Sequence, residues 1–261
     1  MARWAGRLLR PAASPPAEDR IEFLMCDDLE IVPVFFRDAA GQPVGFDLDI
    51  GRAICAALGV GCAFRGCSNR DIFAALLAGR GDAMLAGVMV TEERKALVDF
   101  TRPYHHDGLW VVLRRELQRT ADRAGMAGLR IGVYADTEPE RLARERFGDV
   151  ATIVALAGSG DIVQALIDGR VDAAVAAFVV LDTFVKSPAG KPFRMIPQPI
   201  GTTVPIAIAV RKGDAAMLDR LDEGLRRIRA SGEYDRIRRR WMPYDAQRPE
   251  ARPPDPRAAT V

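Results

Sequence analysis

Two stretches of this chain repeat each other at a distance of 90 residues, and that repeat restricts the fold more than anything else in the sequence. Residues 71–87 read DIFAALLAGRGDAMLAG and residues 161–177 read DIVQALIDGRVDAAVAA, with nine of seventeen positions identical. In each copy apolar residues recur at helical spacing: Ile72, Ala75 and Leu76, then Ile162, Ala165 and Leu166. Gly79 and Gly169 follow, and glycine readily takes the left-handed conformation that ends a helix. Ala83–Ala86 and Ala173–Ala176 are then short apolar strands. An offset of this length is too long for a solenoid period and suits two similar α/β units in one chain.

The flanking segments continue the alternation. Strands are expected at Ile21–Cys26, Cys62–Arg65, Leu109–Leu113, Leu129–Tyr134, Thr152–Leu156 and Val204–Val210. Helices are expected at Asp47–Leu58, closed by Gly59, at Thr91–Leu97 with Thr91 as cap, at Glu138–Phe147, and once or twice within Met217–Trp241. Such alternation predicts parallel sheets covered on both faces. In sheets of that kind ligands bind beyond the carboxyl ends of the strands, and two lobes facing each other make a cleft suited to a small molecule.

Composition removes other classes. The net charge of +2 creates no field aimed at nucleic acid, and no apolar run approaches the roughly 20 residues of a membrane helix. The leader, 1–18, and the Pro-rich tail, 246–261, read as disordered. The leader has the basic stretch of an export signal but not its apolar stretch, since Arg10 and Pro11 interrupt Leu8–Leu9. Cys26, Cys55, Cys62 and Cys67 form no CxxC pair, and His105 and His106 stand far from them, so no metal or other cofactor is expected. Cys55 and Cys62 flank a chain reversal that can bring them within disulfide reach; two buried thiols are the other reading. Cys26 and Cys67 end two neighbouring strands and are either a second bridge or cleft-lining thiols.

Gly45–Phe46–Asp47–Leu48–Asp49–Ile50, Ala86–Arg94, Val98–Tyr104 and Gly232–Ile237 resemble, in that order over about residues 20–245, the family 3 extracytoplasmic solute-binding proteins, the amino-acid receptors of ABC importers. The resemblance implies a two-lobed, type II periplasmic-binding-protein fold. Lobe 1 would comprise 19–105 and 205–245, lobe 2 would comprise 106–204, and a hinge of two crossovers would join two parallel-sheet lobes. It implies a periplasmic monomer that closes on a small-molecule ligand and docks on a membrane permease. The Cys55/Cys62 spacing is similar to a disulfide of the family's basic-amino-acid binders, which implies a bridge here.

The resemblance also implies site residues. Arg94 falls where the family pairs an arginine with a ligand carboxylate, for which a guanidinium offers two parallel donors. Gly87 matches the position whose backbone N–H meets the same carboxylate. Asp136 and Thr137 match the turn opening a lobe 2 helix, Thr137 as an anion contact and Asp136 as a cap. Asn69 stands at the mouth of lobe 1, either toward a ligand side chain or, with Ser68, capping the next helix. Three positions depart from the family: Ile31 replaces a covering aromatic, Met89 a hydroxyl residue, and Ala177 the aspartate that binds the α-ammonium. A buried ammonium needs a paired charge, for which Asp28, Glu30 and Asp136 are the candidates. The expected ligand is a small carboxylate-bearing solute. The rival readings are a lyase similar to cyclohexadienyl dehydratase on the same fold and a sensor with a degenerate pocket.

Overall fold

The computed structural model describes residues 19–242. The leader (1–18), the tail (246–261) and residues 243–245 lie outside the described residues.

The chain first builds β1 (Arg20–Cys26), a hairpin of β2 (Phe36–Arg37) and β3 (Pro43–Val44), α1 (Phe46–Leu58), β4 (Gly61–Cys67), α2 (Ile72–Leu77), β5 (Ala83–Met84), α3 (Glu92–Leu97) and β6 (Val98–Phe100). It continues with β7 (His105–Arg114), α4 (Arg123–Met126), β8 (Arg130–Tyr134), α5 (Glu138–Phe147), β9 (Thr152–Leu156), α6 (Ser159–Ile167), β10 (Ala173–Ala177), α7 (Phe178–Lys186), β11 (Phe193–Met195) and β12 (Ile200–Ile206). It closes with β13 (Ala209–Arg211), α8 (Ala215–Ala230) and α9 (Glu233–Trp241).

These strands form two main sheets. One has the order β4-β1-β5-β13-β6; the other has the order β11-β7-β10-β8-β9, with β12 also paired to β7. The repeat supplies the parallel heart of each. β1 runs parallel to β4 and β5, and β8 runs parallel to β9 and β10, whereas β7, β11, β12 and β13 pair antiparallel to their neighbours. Both sheets are therefore mixed, antiparallel where the chain passes between them.

Repeated residues do equivalent work. Ile72 and Ile162, Ala75 and Ala165, and Leu76 and Leu166 are all buried, turned inward by the helical period. Gly79 and Gly169 hold φ of 69° and 68°. Asp82 Oδ2 accepts the Glu22 N–H at 2.8 Å and Asp172 Oδ2 accepts the Arg130 N–H at 2.8 Å, each tying a strand to the start of its parallel neighbour.

The apolar run Val204–Val210, read from sequence as one strand, is two. It breaks at Ala207 and Ile208, both wholly buried, where the chain leaves one sheet for the other. The first passage, between β6 and β7, lies beside it: Thr101 N–H donates to the Ile208 carbonyl and Tyr104 N–H to that of Ile206, both at 3.0 Å. Periodicity could not mark this break, because burial continues across it. β7 likewise begins at His105, four residues before the expected strand start, and so takes in the expected boundary between the lobes.

Candidate functional site

A cavity of about 110 Å³ lies between the two sheets, with walls drawn from both halves. On the measure by which one water needs roughly 10–15 Å³, that is room for a small solute.

Arg94 stands in its wall. Thr91 caps α3, its Oγ1 accepting the Arg94 N–H at 3.2 Å, and so sets the direction in which the arginine leaves the helix. The guanidinium donates through Nη1 to the Met89 carbonyl at 2.8 Å and lies over the Phe73 ring, 5.3 Å from its centroid. Burial pulls its pKa below the usual arginine range while Glu138 and Glu93 pull it back up. An arginine does not lose its proton in such surroundings. Among the described residues no carboxylate forms a salt bridge with it, whereas Arg130 and Arg144 each have one and Arg141 has two.

Gly87 lines the cavity, but its N–H is already engaged, donating to Asp47 Oδ2 at 2.6 Å. Its φ is 61°, in the left-handed region that favours glycine. Asp47, in the first turn of α1, also accepts the Tyr104 hydroxyl through Oδ1 at 2.8 Å. Burial raises its pKa to about 7, against the downward pull of the two hydrogen bonds.

Across the cavity stand β8, β10 and the start of α5. The Thr137 hydroxyl donates to the Tyr134 carbonyl at 2.6 Å, so its proton is not offered to the cavity. Asp136 does not cap α5. Its φ of 56° turns it toward the other lobe, where Oδ2 pairs with Arg70 at 3.0 Å and its carbonyl accepts from Asn69 Nδ2 at 2.9 Å. Asn69 is thus a clasp between lobes and not a helix cap; its Oδ1 also accepts the Cys26 thiol at 3.6 Å.

Ile31, Met89 and Ala177 line the cavity. Asp28 does not: its Oδ1 accepts the Asn69 N–H at 2.7 Å and so serves a loop. Glu30 accepts the Arg37 N–H at 3.1 Å, also outside the lining. A different carboxylate comes in instead. Asp107, near the start of β7, is 3% exposed, lines the cavity, and accepts through Oδ1 from Gly108 N–H (2.7 Å) and Phe178 N–H (3.2 Å). It therefore sits at the head of α7, next to Ala177. Nothing local in the sequence marks Asp107, which falls just past the expected boundary between the lobes; the pairing of β7 with β10 brings it there.

The four cysteines are unbridged in the structure. The Cys55 and Cys62 thiols act on each other, which raises the pKa of Cys55 and lowers that of Cys62. Folding supplies the approach, while a bond needs an oxidant to remove two electrons. Cys26 and Cys67 are register partners in β1 and β4, also unbridged. Burial pushes the Cys26 thiol up to about 12. His105 lines the cavity and stacks edge-on to Phe46. Among the described residues no group of three or more His, Cys, Asp or Glu is placed to hold a metal ion.

Two lobes that share a cavity at their strand ends, joined by two passages of the chain, define a type II periplasmic binding protein, a solute-capturing receptor. The chain belongs to the bacterial extracellular solute-binding proteins, family 3, whose model matches residues 24–244. The L-arginine-binding protein of Pseudomonas aeruginosa is 30% identical over 219 residues, 82% of this chain and 85% of that one. An ancestral arginine-binding protein bound to arginine superposes with a TM-score of 0.77 at 29% identity, covering 86% of this chain and 98% of the other. An ancestral amino-acid-binding protein, a precursor of cyclohexadienyl dehydratase, does so with a TM-score of 0.77 at 26% identity, covering 86% and 96%. The chain is accordingly a substrate-binding component of the kind that serves ABC importers.

Proposed function

We propose that this receptor captures a small carboxylate-bearing solute, an amino acid or a close relative, in the cavity between its lobes. It works in the periplasm as a monomer and hands the solute to a membrane permease. One observation carries the reading: Arg94 is a cavity-lining cation, partly buried, that no described carboxylate holds in a salt bridge. A solute carboxylate answers both its charge and its paired donors. Asp107 supplies the complementary anion for an α-ammonium, taking over from the position that holds Ala177.

A thermal-shift screen of amino acids, dicarboxylates and amines tests this, because a solute that binds only the folded state raises Tm. Arg94→Ala should weaken binding of the responding solute by on the order of 10–150-fold, the equivalent of a charged hydrogen-bonding contact. Asp107→Asn should weaken amine-bearing solutes more than their desamino analogues. An unchanged response in Arg94→Ala overturns the carboxylate assignment. Turnover of prephenate or arogenate would favour a lyase instead.

A further inference from the structure

We propose that the Tyr134 hydroxyl is a solute-recognising group, hydrogen-bonding a polar atom on the part of the solute remote from its carboxylate. The inference rests on the reading of the cavity as a carboxylate-solute site and adds the chemistry of the solute's other end. Tyr134 closes β8 at the strand tip, lines the cavity and is 2% exposed. Its hydroxyl is buried and makes no hydrogen bond to any described residue. The ring packs in an apolar cluster with Leu29, Ile162 and Ala176.

A buried phenol without a partner bears the whole cost of leaving water, which is why such groups are almost always satisfied in folded proteins. Phenylalanine would fill the same ring space without that cost, so packing alone does not account for a tyrosine here. The other cavity tyrosine, Tyr104, spends its hydroxyl on Asp47. Among the described residues two further buried polar atoms lack partners, Trp110 Nε1 and Arg194 Nε, but neither residue lines the cavity. Tyr134 is therefore a lining residue whose buried hydroxyl is left unspent among the described residues. Burial holds its pKa above the ordinary phenol range, so it meets the solute as a neutral O–H. It can donate to a carbonyl or hydroxyl oxygen or accept an N–H. The solute class that follows is a carboxylate compound with a second hydrogen-bonding group and not a purely aliphatic chain.

Calorimetric titration of the full chain with L-arginine, L-histidine, L-glutamine and L-norleucine tests this, the last having an all-carbon side chain. The wild type should bind at least one of the three polar probes about tenfold more tightly than norleucine. Tyr134→Phe should lose about tenfold for that probe and nothing for norleucine, a change of the size one hydrogen bond gives. Its ligand-free Tm should be equal or higher, since the buried orphan is gone. Equal binding of all probes by Tyr134→Phe and wild type overturns the inference while leaving the Arg94 reading intact. If wild type binds none of the four, the carboxylate-solute reading falls and this inference with it.

Discussion

Asp47 is a carboxylate with no exposed surface, held by one hydroxyl and one amide proton. Burial lifts its pKa from 3.8 to about 7, so the folded chain holds this proton more tightly than the unfolded chain. The sign follows by linkage: the contribution to stability is full below about pH 4 and is lost as pH rises to about 7. The whole swing is on the order of 4 kcal/mol at about 1.4 kcal/mol per pKa unit. Urea unfolding at pH 5 and pH 8 should show wild type losing more stability over that interval than Asp47→Asn, which has no proton to release. A difference of zero between the two slopes would mean that Asp47 ionises freely. Arg94 lies at the opposite extreme, a cation that keeps its charge and draws the solute's anion.

The duplicated helix–turn–strand unit makes its prediction at the scale of elements. Gly79 and Gly169 both adopt the left-handed conformation, and a Cβ added to Gly79 would meet nothing within 4 Å. Gly79→Ala and Gly169→Ala should therefore cost about 1–2 kcal/mol each, from backbone strain alone. Chemical denaturation should return similar values for the two, because their φ angles are the same to within a degree. Unequal costs would show that the copies have diverged in structure as well as in sequence. Much of this level was legible beforehand. The inward faces of α2 and α6 and the Thr91 cap follow from local periodicity and capping chemistry. The break of 204–210 into β12 and β13 did not, since a run of apolar residues reads the same whether it stays in one sheet or crosses to another.

At the scale of the whole molecule the lobes touch directly through Asn69, Arg70 and Asp136. The Arg70–Asp136 pair is exposed and water-screened, so the Asn69 amide is the more informative contact. Asn69→Ala removes one neutral hydrogen bond from the closed arrangement and should speed solute release by about 2–13-fold, with little change in Tm of the free protein. Stopped-flow dissociation measures this, and an unaltered rate would show that the clasp does not help hold the lobes together.

Local chemistry written in the chain determined which segments become helices and strands, that two such units exist, and that Arg94 leaves a capped helix in company with Gly87 and Met89. Those features depend on neighbours a few residues apart, where period and capping act. Tertiary structure alone decided how the polar groups are allotted. Gly87 N–H goes to Asp47, Asp28 to the Asn69 amide, Asp136 to Arg70, and Asp107 to the head of α7 beside Ala177. The partners in these hydrogen bonds and ion pairs lie 40 or more residues apart. No periodicity records such pairings, because each depends on where two sheets come to rest and which buried donor then lacks an acceptor.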